Sequence, residues 1–155
     1  MRPTTDTHRS IVGLVLLAVA RTAYPEPAMM DDPDHIAVFT TNGVVDTLDR
    51  AVSLCLEDAD PDGDADEDLY EAFRRWNDKR RTDLKSGKVT KTTKPGIVNS
   101  VCRFLVDAGH LTARGDTDGG TWSTRPRFRH AVIALSEDSY LYRLVNDLID
   151  AEVAP

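Results

Sequence analysis

The chain is 155 residues long, 41% hydrophobic and 29% charged, with a net charge of −7. That is enough apolar content for one domain with a buried core plus extensions, and it excludes a wholly disordered chain. The acidic balance excludes a generic basic nucleic-acid coat, and no apolar run approaches the ~18–20 residues of a membrane span. Two cysteines, Cys55 and Cys102, exclude a disulfide framework and a Cys-rich zinc module.

In chain order, the first element is the apolar run Ile11 to Ala20. It has two readings. Arg2, His8 and Arg9 before it and Ala18-Val19-Ala20 at its end fit a secretory signal peptide. Asp6 in the leader and Arg21 just beyond favour a buried first helix, capped by Asp6 or Thr7 and stopped before Pro25 and Pro27. The helix reading implies a cytoplasmic protein with reduced cysteines. Pro25 to Pro33 is a connector, and His35 to Thr40 fits a short strand. Thr41 or Asn42 can cap a helix from about Gly43 to Glu57, whose apolar stripe is Val45, Leu48, Val52 and Cys55.

Asp58 to Asp68 is an acidic loop. Its carboxylates at Asp58, Asp60 and Asp62, with Gly63 next, match the opening of an EF-hand calcium loop. Leu69 stands where the closing Glu is needed, Ala65 replaces a branched apolar residue and Pro61 falls inside. The loop therefore reads as a solvated linker, and no metal is expected. Leu69, Phe73 and Trp76 predict a helix from Glu67 to Leu84, followed by a Lys/Thr-rich loop or short strand from Ser86 to Thr93. Thr93 can cap a helix starting near Pro95, with Ile97, Val101, Phe104 and Leu105 as its apolar stripe and Gly109 as a left-handed stop. His110 to Arg114 and Thr121 to Arg125 flank the turn Gly115 to Gly120, a hairpin pattern. Arg127 to Leu135 extends that strand or starts another element. Ser136 can cap a last helix carrying Leu141, Leu144, Val145 and Leu148.

The charge is unevenly spread. Residues 1–73 carry 4 basic and 16 acidic side chains, residues 74–94 carry 9 and 2, and residues 95–155 carry 6 and 8. All five lysines, Lys79, Lys85, Lys88, Lys91 and Lys94, lie in the middle block. An acidic protein with one basic strip can meet an anionic partner there. The alternative is a solvated helix and loop.

No catalytic constellation is visible. His8, His35, His110 and His130 lack metal-ligand spacing with each other or the cysteines. No Gly-rich phosphate loop or nucleophile elbow occurs, and Cys102 beside Val101 reads as a buried thiol. Trp76 and Trp122 read as packing residues. The expectation is a non-catalytic protein without cofactors.

The order helix, loop, helix, then DAGHLTARGDTDGGTWSTRPRF resembles a winged helix-turn-helix domain over about Leu69 to Leu135. More distantly, VCRFLVDAGHL with TRPRFRHAV resembles the winged-helix kite subunits that accompany bacterial chromosome-organising ATPases. The resemblance implies a mainly α fold with a small β-hairpin. It divides the chain into an N-terminal helical extension (1–57), the acidic loop (58–68) and a winged-helix domain with a C-terminal helix (69–150). It implies a DNA-associated regulator or an adaptor acting through DNA, a partner protein or both, with apolar end helices suited to a homodimer. A kite-like role would favour a protein partner over sequence-specific DNA. The different-class alternative is a secreted helical protein with the degenerate calcium loop.

Under the resemblance, the helix after the loop is the recognition helix. Asn99, Ser100 and Arg103 on its solvent side would approach base edges or phosphates. Lys88, Lys91 and Lys94 near its positive end would hold phosphates, Arg114 and Arg125 would flank the wing, and Arg125 and Arg127 are further candidates for nucleic-acid contact. Ordinary exposed helix surface is the competing reading for the helix residues. For Arg125, Arg127 and Arg129 it is strand charges paired with the acidic N-terminal half. Asp116 and Asp118 at the wing tip depart from the DNA-binding pattern, because they would repel phosphate.

Overall fold

The computed structural model describes residues 6–57 and 67–138. Five helices, a three-stranded antiparallel sheet and two short 3-10 turns occupy them: α1 (Asp6–Ala23), β1 (Val38–Thr40), α2 (Thr41–Glu57), α3 (Glu67–Asn77), α4 (Lys94–Asp107), β2 (Leu111–Gly115), β3 (Thr121–Thr124) and α5 (Pro126–Asp138). The fold is mainly helical with a small sheet, a layout compatible with a winged helix. The acidic loop at 58–66 and the leucine stripe from Leu141 onward lie outside the described residues.

α1 forms the centre of the core. Leu14, Val15, Ala18, Val19 and Ala20 are all buried, and α2, α3 and α4 pack around them. A helix apolar on nearly every side is stable only when surrounded, so the run Ile11 to Ala20 is a core helix here. Its apolar surface from Ile11 to Ala23 is largely buried inside the chain. No helix among the described residues is long and apolar enough to cross a membrane. Cys55 and Cys102 are buried free thiols.

α2 starts directly from β1. Its cap is Thr40, one residue before the expected Thr41 and two before Asn42: the Thr40 hydroxyl accepts from the Gly43 N–H at 3.1 Å. Thr41 is drawn inward instead, fully buried, and its N–H donates to the Gly120 carbonyl.

α3 ends at Asn77, seven residues before the expected Leu84. Its apolar stripe stops at Trp76, and nothing apolar follows until Leu84, so extending the helix would bury nothing. The strand alternative for Ser86 to Thr93 is also not taken up; this stretch is loop. α4 follows expectation. The Thr93 hydroxyl accepts from the Gly96 N–H, and Pro95 occupies the first turn. At its end Gly109, at φ 84°, donates to Val106 and His110 donates to Leu105, the two hydrogen bonds of a Schellman stop.

The sheet order is β1-β3-β2. The β2–β3 hairpin is as expected, and β1 joins it along β3, pairing Phe39 with Trp122 and Val38 with Ser123. Phe39, Trp122 and Leu111 face the core, while Val38 and Thr112 share the outer face with Ser123. Arg127 to Leu135 belongs to a new helix, α5, begun by Pro126. Ser136 therefore lies inside α5 and does not start a helix.

Candidate nucleic-acid interface

The loop from Asp78 to Thr93 is built, not slack. The Asp83 carboxylate accepts from the backbone N–H groups of Lys85 (2.9 Å) and Ser86 (3.0 Å), closing an Asx turn. These backbone donors hold the Asp83 carboxyl below its ordinary pKa. Asp83 N–H also donates to the Lys88 carbonyl and Gly87 N–H to Asp83, with Gly87 at φ 68°. At the base, Lys94 N–H donates to the Arg80 carbonyl at 2.8 Å. The turn thus presents Lys85, Lys88 and Lys91 to solvent, together with Leu84, 76% exposed, and Val89.

The loop lies tightly on the first turn of α4. A Cβ on Gly96 would sit 1.7 Å from the Thr90 carbonyl oxygen, so only glycine admits this crossing. The approach covers the N-terminus of α4: Lys94, Pro95, Gly96 and Ile97 are buried.

Lys94 is not part of the exposed basic group. Its Nζ donates to Asp49 Oδ1 at 2.7 Å and lies 5.6 Å from the Trp76 ring centroid. The same Asp49 oxygen accepts from Trp76 Nε1 at 2.9 Å, and Asp49 Oδ2 accepts from Arg81 at 3.2 Å. Arg81 also donates to Asp46, and that hydrogen bond raises the Arg81 pKa further. The basic strip is therefore divided: Lys94 and Arg81 bind the fold together, while Lys85, Lys88 and Lys91 face water.

Along α4 the expected solvent row also divides. Asn99 is half-buried, its Oδ1 accepting from the Thr41 hydroxyl at 2.6 Å, and Trp122 Nε1 donates to that hydroxyl at 3.0 Å. This chain ties α4, α2 and the wing strand together and occupies the Asn99 Oδ1. The Ser100 hydroxyl donates to the Gly96 carbonyl within the helix. Arg103 is exposed as expected, and beside it Phe104 is 46% exposed.

The wing folds back. Asp118, at φ 54°, accepts from the Thr40 hydroxyl at 2.7 Å and the Asn42 amide at 3.0 Å. The Asn42 and Thr40 hydrogen bonds depress the Asp118 pKa. This carboxylate fastens the wing tip to the start of α2, which accounts for an acidic residue there. Gly120 passes so close that a Cβ would lie 2.9 Å from the Thr41 hydroxyl.

The wing arginines Arg114, Arg127 and Arg129 have partners of their own away from the lysine loop. Arg114 Nε donates to the Ser123 hydroxyl at 2.9 Å, and Arg125 is exposed at the end of β3. Arg127 donates to the Ala108 carbonyl at 2.8 Å, where a cation complements the C-terminal end of α4. Arg129 donates to the Met30 carbonyl. Arg127 and Arg129 thus hold backbone carbonyls, where strand-borne ion pairs were the competing expectation. Sequence reasoning missed the Asp49 hub and the exposed Leu84. A lysine next to the cap of a buried helix start was the available signal for the first; none marked the second.

Burial raises the Cys102 thiol to about 12, so it stays protonated at neutral pH. Among the described residues no three His, Cys, Asp or Glu side chains gather as metal ligands. Comparison with known proteins finds no matching family model, no matching curated protein and no matching solved structure.

Proposed function

We propose that this chain is a non-catalytic winged-helix protein that associates with DNA as a regulator or adaptor. The observation that carries the reading is the projection of Lys85, Lys88 and Lys91 from a hydrogen-bonded turn fixed onto the start of α4. Ordered lysines on an acidic protein give a localised phosphate-binding surface, and the acidic remainder limits nonspecific spreading. Arg103 extends that surface along α4. With the Asn99 Oδ1 held by Thr41, base reading is weak and phosphate contact dominates.

A second reading is favoured by Phe104. An exposed aromatic flanked by Arg103 and Asp107 is the composition of a protein-docking anchor. In that reading the chain is a kite-like accessory subunit whose partner covers α4. Fluorescence anisotropy with a labelled duplex separates the two. Lys85/Lys88/Lys91→Ala should weaken binding strongly while Phe104→Ala leaves it intact. Binding unaffected by the lysine changes would refute the DNA surface, and absence of DNA binding in the wild type would leave the docking reading to be tested by co-purification with the Phe104 variant.

A further inference from the structure

Outside the lysine loop, a groove of about 340 Å³ opens on the outer face of the sheet, between β2, the end of β3, the start of α5 and the segment before β1. Arg114, Arg125 and Arg129 all line it, with His35, Asp34 and Ile36. Two of the arginines are held in place by their Nε atoms, Arg114 on the Ser123 hydroxyl at 2.9 Å and Arg129 on the Met30 carbonyl at 2.6 Å. Anchoring through Nε fixes a guanidinium while leaving its two terminal nitrogens as donors. No carboxylate among the described residues forms an ion pair with any of the three. Three guanidiniums against the single Asp34 carboxylate leave the groove net positive, which favours a bound anion. Pro126 places the positive end of the 13-residue helix α5 at the rim, which adds to the same preference.

We propose that this groove binds a small phosphate-bearing molecule. Preset guanidinium forks match phosphate oxygens in paired hydrogen bonds. The volume is at the small end of ligand sites, the size of a phosphate monoester and a short organic body. Asp34 is the acceptor for a hydroxyl of that body, and Ile36 supplies apolar contact. The inference stands apart from the lysine loop, because the two surfaces share no side chain.

Free phosphate monoesters and a nucleic-acid backbone carry the same group, so the test has an arm for each. Calorimetric titrations with glycerol 3-phosphate, inorganic phosphate and a short DNA duplex are run on wild type, Arg114→Gln/Arg125→Gln and Lys88→Ala/Lys91→Ala. Arg125→Gln alone serves if the double variant loses its circular dichroism spectrum. The expected result is saturable binding of glycerol 3-phosphate in wild type and in the lysine variant. The arginine double variant should weaken it at least about ten-fold, and Arg125→Gln alone about three-fold or more. No saturation by about 10 mM ligand, or saturation unchanged by the arginine substitutions, overturns the site. Arginine-dependent binding of the duplex without binding of the monoester overturns the small-molecule assignment and makes the groove a DNA contact.

Discussion

Asp49→Ala should cost much more stability than Lys94→Met, although the two residues form one ion pair. The Lys94 side chain is 10% exposed and that of Asp49 29%, with 2.7 Å between Nζ and Oδ1. Removing the carboxylate strands a buried ammonium and leaves the Trp76 indole N–H without its acceptor. Breaking a buried pair this way costs about 3–5 kcal/mol, and the partial exposure of Asp49 places this case near 3 kcal/mol. Arg81 adds little, since it keeps Asp46 and is half in water. Lys94→Met keeps an unbranched stem over Trp76 and leaves Asp49 with the indole, Arg81 and solvent, a cost of about 1 kcal/mol. The double variant strands no charge but still leaves the Trp76 indole N–H unpaired, a cost of about 2 kcal/mol, which gives a coupling of about 2 kcal/mol. Urea denaturation followed by tryptophan fluorescence measures all three, and Asp49→Ala should lower Tm by about 6–12 °C. Equal losses for the two single variants, or a coupling below about 0.5 kcal/mol, would refute the hub.

Gly96→Ala should destabilise by about 3 kcal/mol or unseat the loop, because its Cβ would meet the Thr90 carbonyl at 1.7 Å; thermal melts and proteolysis within 84–91 check this. Burial, with Arg127 nearby, lowers the His110 pKa from 6.5, so the unfolded chain takes up that proton first as pH falls. Its contribution to stability is complete above about pH 6.5 and is lost as pH falls through the lower folded value. Stability measured from pH 7.5 to 5 should slope less in His110→Gln than in wild type. The Cys102 thiol, pushed up to about 12 and buried, should react with a thiol reagent only at the rate of unfolding, whereas a fast reaction in native buffer would contradict its placement.

What the sequence made legible was local. Thr93, Pro95 and Gly109 mark both ends of α4 because caps and left-handed stops act within a few residues. The hairpin was equally visible, its strands being separated only by a glycine-rich turn. The pairing of β1 with β3 was not, since α2, α3 and α4 lie between Val38 and Ser123 along the chain and nothing near either names the other. Helix α3 was read too long because Leu84 lies near the helical phase of Leu69, Phe73 and Trp76, yet it meets no core. For the candidate site, composition pointed to the loop and not to the direction of each side chain. The density of lysines identified the loop, but only the fold distinguishes Lys94, turned onto Asp49, from Lys88 and Lys91 in water. The Asn99 hydrogen bond was hidden for the same reason: its partner Thr41 lies 58 positions away.

The most direct test of the account is the salt dependence of duplex binding by the intact chain. Contacts from Lys85, Lys88, Lys91 and Arg103 amount to about four phosphates, so log K should fall against log salt with a slope near −3.6. The Lys85/Lys88/Lys91→Ala variant should reduce that slope to about −1. No binding at low salt, or a wild-type slope that these lysines do not carry, would contradict the assignment of the loop as the DNA-contacting surface.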